Sequence, residues 1–473
     1  MRLFKHQVEC IEKARSLDSV ALFLEPGLGK TRVGLEIYLE KRLNRPDLRL
    51  LVVCPLSLID SAWGEDIEKF TNLSFMDYAD YVPGRSKEPD VLIINYEKLI
   101  LKKHYDAIKK LLIYNEYMCV VDESSRMKNH KSKTTQALLS LSHLFRGKII
   151  LSGSPMPNSE LELWGQINFL KEGLLKNSFF AFRNTYFELS RSGKILRGVK
   201  MTRAMHRELM VQGWKYKAKA GGREQIMKTI DPIAIWIKKE DALDLPETVN
   251  QYRKVKLTGP ERKGYEEMKK YYFSEIAGTE ISATVALSKM MKLRQATSGF
   301  FYDEEGNAVD IGKRPSKINE LESVLDELGG QQVIIWIQFN KELKDIKTLL
   351  EKRGASYVTL TGETKDKDLS IRDFKSGEAQ YLIAHPKSAG HGLTFVNART
   401  CIFYSIDFSY ESHYQARERI YRIGQNNKCL YVYLLAEDTL DEYMLKVVNE
   451  KRDLQEVVYE FIKTQRSKCQ KRA

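Results

Sequence analysis

Val20-Ala-Leu-Phe-Leu-Glu-Pro-Gly-Leu-Gly-Lys-Thr31 is the stretch from which the fold is read. The aliphatic run over 20–24 predicts a buried strand, and a helical pattern follows over 31–43. Between them, glycines at 27 and 29 let backbone N–H groups approach phosphate oxygens, and the helix N-terminus adds a favourable field. In that setting Lys30 would hold the β- and γ-phosphates of ATP, and the Thr31 hydroxyl would bind Mg²⁺. The strict Gly-x-x-x-x-Gly-Lys-Thr pattern needs glycine where Leu24 stands, so a complement elsewhere in the chain has to carry the argument.

Val120-Val-Asp-Glu-Ser-Ser125 supplies it. A hydrophobic strand ending in Asp-Glu puts two carboxylates at the sheet edge beside the phosphate loop. Asp122 would hold Mg²⁺, and Glu123 would orient and deprotonate the attacking water. A strand ending in Asp-Glu is otherwise a common turn; the distance downstream of Lys30 favours the chemical reading. Gln415-Ala-Arg-Glu-Arg-Ile-Tyr-Arg-Ile-Gly-Gln425 is the third piece. On a helix, Gln415, Arg419 and Arg422 recur at spacings of four and three and share a face. Arginine forks onto phosphate oxygens and suits the charge of a transferring phosphoryl group. A solvent-exposed helix with a Glu418–Arg422 pair also accounts for the stretch alone. Loop and arginines together predict one ATP site split between two halves, which closes only when they come together. That is the pattern of a motor rather than of a small-molecule kinase.

Around these motifs the order of elements repeats. Apolar runs at 20–24, 50–53, 91–94, 118–121 and 148–151 read as strands in the first half. Those at 333–337, 357–360, 381–384, 401–404 and 430–434 do so in the second. Continuous aliphatic runs indicate parallel strands covered on both faces. The fold class is therefore α/β: two RecA-like, doubly wound parallel-sheet lobes with a largely α-helical insert between them. The expected divisions are a first lobe at 1–170, a basic helical insert at 171–312, a second lobe at 313–450, and a C-terminal helix with a basic tail at 451–473. Within the insert, 259–276 and 282–297 read as helices and 302–312 as a turn-rich lead into the second lobe.

At 473 residues the chain is long enough for two or three domains, and 43 % hydrophobic residues can fill their cores. No apolar run reaches membrane-spanning length, and Met-Arg-Leu-Phe-Lys-His-Gln lacks the apolar centre of a signal peptide. Six cysteines without a Cys-x-x-Cys pair argue against zinc and against a disulfide framework. The expectation is a monomer in the cytoplasm of a bacterial or phage-infected cell. The net charge of +13 is uneven: residues 171–224 carry thirteen Lys/Arg against four Asp/Glu, and 463–473 carry five cations and no acid. Aromatics at Phe179, Phe180, Phe182, Tyr186, Trp214 and Tyr216 are interleaved with those cations. Such a segment suits a phosphate backbone, where counterion release drives binding; a charge run alone would equally be a solvated helical face. The ATP motifs on either side favour nucleic acid.

Taken in order, these motifs resemble the Swi/Snf-type family of helicase-related ATPases, in helicase superfamily two. The likeness runs over nearly the whole chain. It includes Phe4-Lys-His-Gln7, the phosphate loop, Val52-Val-Cys-Pro-Leu-Ser-Leu58 with Trp63, and Ile94-Asn-Tyr-Glu97. Asp122-Glu-Ser-Ser-Arg-Met-Lys-Asn129 and Leu151-Ser-Gly-Ser-Pro155 with Asn158 continue it. So do Lys238-Lys-Glu-Asp-Ala-Leu-Asp-Leu-Pro246, Leu293-Arg-Gln295, Ile335-Trp-Ile-Gln-Phe339, Ser388-Ala-Gly-His-Gly-Leu393 and the Arg-Ile-Gly-Gln ending at 425. Departures are Ser124-Ser125 in place of Ala-His, Leu24 in place of a small residue, and Lys238-Lys239 in place of arginines. The compact chain and Asp407-Phe-Ser-Tyr-Glu411 resemble bacterial or phage members.

The resemblance implies that Gln7 reads adenine and that Gly27, Gly29, Lys30, Thr31, Gly392 and Gln415 contact the nucleotide. It implies catalysis by Lys30, Glu123, Arg419 and Arg422, with Mg²⁺ on Thr31 and Asp122. Double-stranded or forked DNA would lie near Pro55, Ser57, Tyr96, Lys128, Gln338 and Ser388, with Lys215, Lys217 and Lys219 of the insert clamping it. The implied activity is ATP-driven translocation on DNA. The alternatives are a strand-separating DNA or RNA helicase, and an ATP-gated DNA-binding or annealing factor without processive movement.

Overall fold

The computed structural model describes residues 2–82, 85–191, 194–196, 202–211, 214–276, 283–389 and 393–449. The expected C-terminal helix and tail at 451–473 lie outside the described residues, as does Gly392. Apart from short excursions, the chain divides into one compact unit running to Asp244 and another from Leu245 onward. Among the described residues, no helix is long and apolar enough to cross a membrane.

The first unit opens with β1 (Ser19–Leu24), β2 (Arg49–Cys54), β3 (Phe75–Asp77), β4 (Val91–Asn95), β5 (Tyr117–Asp122) and β6 (Gly147–Leu151). The middle of the chain adds β7 (Phe187–Arg191), β8 (Lys194–Leu196), β9 (Lys215–Ala218), β10 (Ala234–Ile237), β11 (Thr248–Val255), β12 (Phe300–Tyr302) and β13 (Ala308–Asp310). The second unit follows with β14 (Val333–Trp336), β15 (Tyr357–Leu360), β16 (Tyr381–Ala384), β17 (Thr400–Phe403) and β18 (Cys429–Ala436).

Seven strands of the first unit form one sheet in the order β10-β1-β6-β5-β2-β4-β3, and every pairing is parallel. Its central strands are apolar throughout because each feeds two apolar layers. Val20, Leu22 and Leu24 join one layer, while Ala21 and Phe23 join the other. Leu50 and Val52 alternate with Leu51 and Val53 in the same way. Each fully buried aliphatic side chain contributes roughly 1.5–3 kcal/mol of transfer free energy. Helix Lys30–Leu43 packs Val33, Ile37 and Tyr38 into the first of those layers. The second unit repeats the scheme with six parallel strands in the order β11-β18-β17-β14-β16-β15.

The ten strands expected from the aliphatic runs are all present, with ends displaced by at most two residues. The middle of the chain holds more strand than its sequence suggested. Helices Gly259–Ile276 and Ala283–Thr297 are there. But β10 is the edge of the first sheet, β11 is the edge of the second, and β7, β8 and β9 make a small antiparallel sheet. The 302–312 stretch holds part of the β12–β13 hairpin. Polar residues in β11 explain why an apolar run did not mark it: Thr248, Asn250, Gln251, Arg253 and Lys254 fall within it, at the sheet edge.

In the second unit, buried ionic groups tie helices to the sheet. Lys317 pairs with Asp441 at 2.6 Å and also donates to the Tyr404 carbonyl. Arg294, of the Leu-Arg-Gln landmark, donates to the Ile406 carbonyl and stacks over Phe408. Buried charges survive only when paired in this way.

Candidate active site

The phosphate loop leaves the carboxyl end of β1 and passes straight into helix Lys30–Leu43. Gly27 and Gly29 adopt φ of +88° and +76°, a region that penalises any residue with a Cβ. At Gly29 the constraint is doubled, because a Cβ would fall 2.3 Å from the Gln7 Nε2. Gln7 is buried beneath the loop, accepting from the Phe4 amide at 3.0 Å and donating to the Leu28 carbonyl at 3.2 Å. Lys30 Nζ donates to the Leu24 carbonyl at 3.1 Å. The Leu24 departure has a simple cause: its side chain is fully buried in the core, and its carbonyl serves the loop. Edge strand β10 braces the same turn. The Glu25 amide donates to the Ile237 carbonyl at 3.1 Å, and the Glu25 carboxylate accepts from the Lys239 amide at 2.9 Å. The Lys238-Lys239 stretch, read only as a landmark, thus supports the phosphate loop through its backbone.

Asp122 ends β5 and is buried. Its Oδ2 accepts from Trp63 Nε1 at 3.0 Å, and its Oδ1 accepts from the Glu123 amide at 2.8 Å. Burial pushes its carboxyl up to about 6, with Glu123 adding to the rise; Lys30 and the two hydrogen bonds oppose it. Lys30 and Asp122 are therefore within electrostatic reach of each other. Glu123 has φ +53° and ψ +52°, a left-handed conformation that costs a non-glycine residue on the order of 1–2 kcal/mol. Trp63 is completely buried, and its N–H needs an acceptor there. That requirement was the available signal for its role, which sequence motifs alone did not assign.

Thr31 lies in the first turn of helix Lys30–Leu43, beside Lys30. Two left-handed glycines, a helix N-terminus, a lysine and a buried carboxylate form a set that fits a nucleotide triphosphate with one Mg²⁺. Among the described residues no group of three or more His, Cys, Asp or Glu could hold a metal by itself.

The residues expected along the DNA path have diverse settings. Ser57 and Lys128 are exposed, while Gln338 and Ser388 are half-buried. Pro55 and Tyr96 require correction. Pro55 is buried at the end of β2. Tyr96 is 1 % exposed and its hydroxyl donates to the Asp122 carbonyl at 2.5 Å, so it supports the carboxylate turn and does not face a solvent-borne ligand. In the small antiparallel sheet, Lys217 is exposed and stands opposite Glu188, and Lys215 stands opposite Ser190. Lys219 is committed elsewhere: its ammonium donates to the Asn184 and Thr185 carbonyls at 2.6 and 2.9 Å, at the end of helix Phe179–Tyr186.

The arginine stretch of the second unit also requires a correction. Helix Tyr410–Arg417 carries Gln415 but ends before Arg419 and Arg422, which stand in the turns beyond it. The shared helical face expected for the three residues is therefore not formed. Competing bonds stop the helix: the Arg419 carbonyl accepts from the Phe395 amide at 2.8 Å, and Arg422 Nε turns back onto the Glu418 carbonyl at 2.8 Å. Arg422 also reaches Thr394 Oγ1 at 2.9 Å. Gln425 is buried, and its Nε2 donates to the Val396, Ala398 and Ile420 carbonyls at 3.3, 2.9 and 3.2 Å. With Gly424 at φ +95°, the Arg-Ile-Gly-Gln ending is a clamp that fixes this turn.

A model of the SNF2-related domain matches residues 6–299, and a model of the helicase conserved C-terminal domain matches residues 316–424. The putative protein p41 of Acyrthosiphon pisum secondary endosymbiont phage 1 is 26 % identical over 461 residues, covering 92 % of this chain and 93 % of that protein. The nuclear protein STH1/NPS1 of Saccharomyces cerevisiae is 25 % identical over 91 % of this chain, which spans 32 % of its length. The chromodomain-helicase-DNA-binding protein 1-like of Danio rerio is 24 % identical over 92 % of this chain, which spans 41 % of it. Among solved structures, the Sulfolobus solfataricus SWI2/SNF2 ATPase core in complex with dsDNA is 23 % identical. It covers 96 % of this chain and 92 % of its own, with a TM-score of 0.43.

Proposed function

Because the chain belongs to the SNF2-related family of helicase-like ATPases, we propose that it couples ATP hydrolysis to translocation on double-stranded or forked DNA. The observation that carries the reading is the pairing of a phosphate loop with a buried Asp122 at a strand end, followed by Glu123, in a chain matched by both family models. Gly27, Gly29 and Lys30 would cradle the phosphates, Gln7 the adenine, and Thr31 with Asp122 the Mg²⁺. The ion would neutralise phosphate charge. Glu123 would take the proton of the attacking water. Arg419 and Arg422, brought from the second unit, would stabilise charge on the transferring group, with Gln415 and Gly392 contributing to the nucleotide contacts. Hydrolysis that needed residues of both units would make nucleotide state and unit arrangement interdependent, which is what a ratchet along a strand requires. Lys128, Ser57, Gln338, Ser388 and the Lys215–Lys217 ladder would meet the DNA backbone.

Steady-state ATPase measured without nucleic acid and with single-stranded, duplex and forked DNA and RNA, using Glu123→Gln as blank, tests this. Strong stimulation by duplex or forked DNA is expected. Equal or better stimulation by RNA would make it an RNA-directed motor, and indifference to every nucleic acid would remove the track.

A further inference from the structure

Ser124 and Ser125 stand where the family carries Ala-His, and the first of them has an unexpected partner. Ser124 is fully buried and its hydroxyl donates to Gln166 Oε1 at 2.8 Å. Gln166, equally buried in helix Leu163–Leu170, donates through Nε2 to the Pro155 carbonyl at 2.6 Å and to the Glu162 carbonyl at 2.9 Å. Pro155 closes the Ser152-Gly-Ser-Pro155 loop that follows β6. Within that loop Gly153 lies against the phosphate loop: a Cβ there would come 2.8 Å from Pro26 Cδ. The helix carrying Gln166 can approach only because Gly165 precedes it. A Cβ on Gly165 would sit 2.6 Å from the Met127 carbonyl oxygen and 2.9 Å from Thr135 Cγ2.

The contacts form a circuit within the first unit, from Pro26 to the 152–155 loop, through Gln166 to Ser124, and so to the backbone of Glu123. We propose that Gln166 is a positioning residue for ATP hydrolysis, holding the Glu123 turn and the 152–155 loop in one fixed arrangement. Glu123 occupies a strained left-handed conformation, which persists only where its surroundings over-determine it. Its immediate neighbour is tethered by a buried amide that makes all three of its bonds to the protein. An apolar residue would fill the same space without joining the two loops. A buried glutamine is stable there only with its partners present, so the amide is committed to bridging.

Three variants test the assignment: Gln166→Met, which keeps length and apolar bulk, Ser124→Ala, which removes one oxygen, and the two combined. Steady-state kcat and KM for ATP are measured alongside urea unfolding. Ser124→Ala, which loses one hydrogen bond, is expected to lower kcat about three- to tenfold, and Gln166→Met, which loses the whole bridge, by at least as much, with KM changed less than about twofold in both. The double variant is expected to be no slower than the slower single, because both cut the same tether. Wild-type kcat in folded Ser124→Ala would overturn the proposal, as would losses that multiply or that only follow the fraction of unfolded protein. Basal turnover suffices as readout, so the result does not depend on which nucleic acid stimulates the enzyme.

Discussion

Glu123 and Asp122 are adjacent in sequence but do different work, and their surroundings explain how. Glu123 is held in a left-handed turn next to Asp122, so Glu123→Gln keeps the geometry and removes the carboxylate proposed as the base. Turnover should fall at least about 100-fold while ATP still binds, checked by fluorescent-nucleotide titration. Asp122 is raised to about 6 chiefly by burial. A group whose folded pKa lies above its unfolded value stabilises the fold below the unfolded pKa and loses that contribution as pH rises through the folded one. The nucleotide-free protein should therefore lose stability between about pH 4 and pH 6, and Asp122→Asn should flatten that part of a urea-midpoint profile. The Mg²⁺ binding proposed for Asp122 would have the opposite sign, since it would need the carboxylate: Mg²⁺-dependent nucleotide affinity should weaken below about pH 6. Lys30, Asp122 and Glu123 could be placed at a strand end and a helix start from the chain because strand, loop and helix signals surround them. The contacts of Trp63 and Gln166 could not be read from it, because each acts on a residue more than forty positions away. Tyr96 was assigned the wrong surface because a motif position does not say which way an aromatic ring faces.

At the scale of elements, apolar continuity located the central strands, since Val, Ile and Leu that feed two layers leave an unbroken run. Edge strands are less uniform: β15 carries the same mark, whereas the mostly polar β11 does not. β10 and β11 come from a segment whose charge and helical stretches dominate its pattern, yet each completes a sheet, and β10 braces the phosphate loop. The helix expected through Arg422 ends at Arg417, where the Arg419 and Glu418 carbonyls accept from the Phe395 amide and from Arg422 Nε, competing bonds that spacing alone cannot reveal. Two predictions belong here. Gly165→Ala should destabilise the first unit by about 1–3 kcal/mol through overpacking against Met127 and Thr135, read as a lower urea midpoint at unchanged slope. Replacing Lys215 and Lys217 with glutamine should reduce the slope of log affinity for DNA against log salt by about two. An unchanged slope would take the β9 strand off the DNA path. Lys219 is left out of that test because its ammonium closes the end of helix Phe179–Tyr186.

At the scale of the molecule, two parallel sheets each have their own apolar core, and the motifs fall at the carboxyl ends of the strands, where ligands of such sheets bind. The first unit carries the phosphate loop and carboxylates, and the second carries Arg419 and Arg422. Hydrolysis that needs both would convert chemical steps into motion, and motion along duplex DNA is the central claim. It is tested by displacement of a fluorescent triplex-forming strand from duplex DNA, with ATP, with a non-hydrolysable analogue, and with Glu123→Gln. Displacement that requires ATP hydrolysis and disappears in the variant is the expected result. Vigorous DNA-stimulated ATPase with the third strand left in place would contradict translocation and leave an ATP-gated DNA-binding protein.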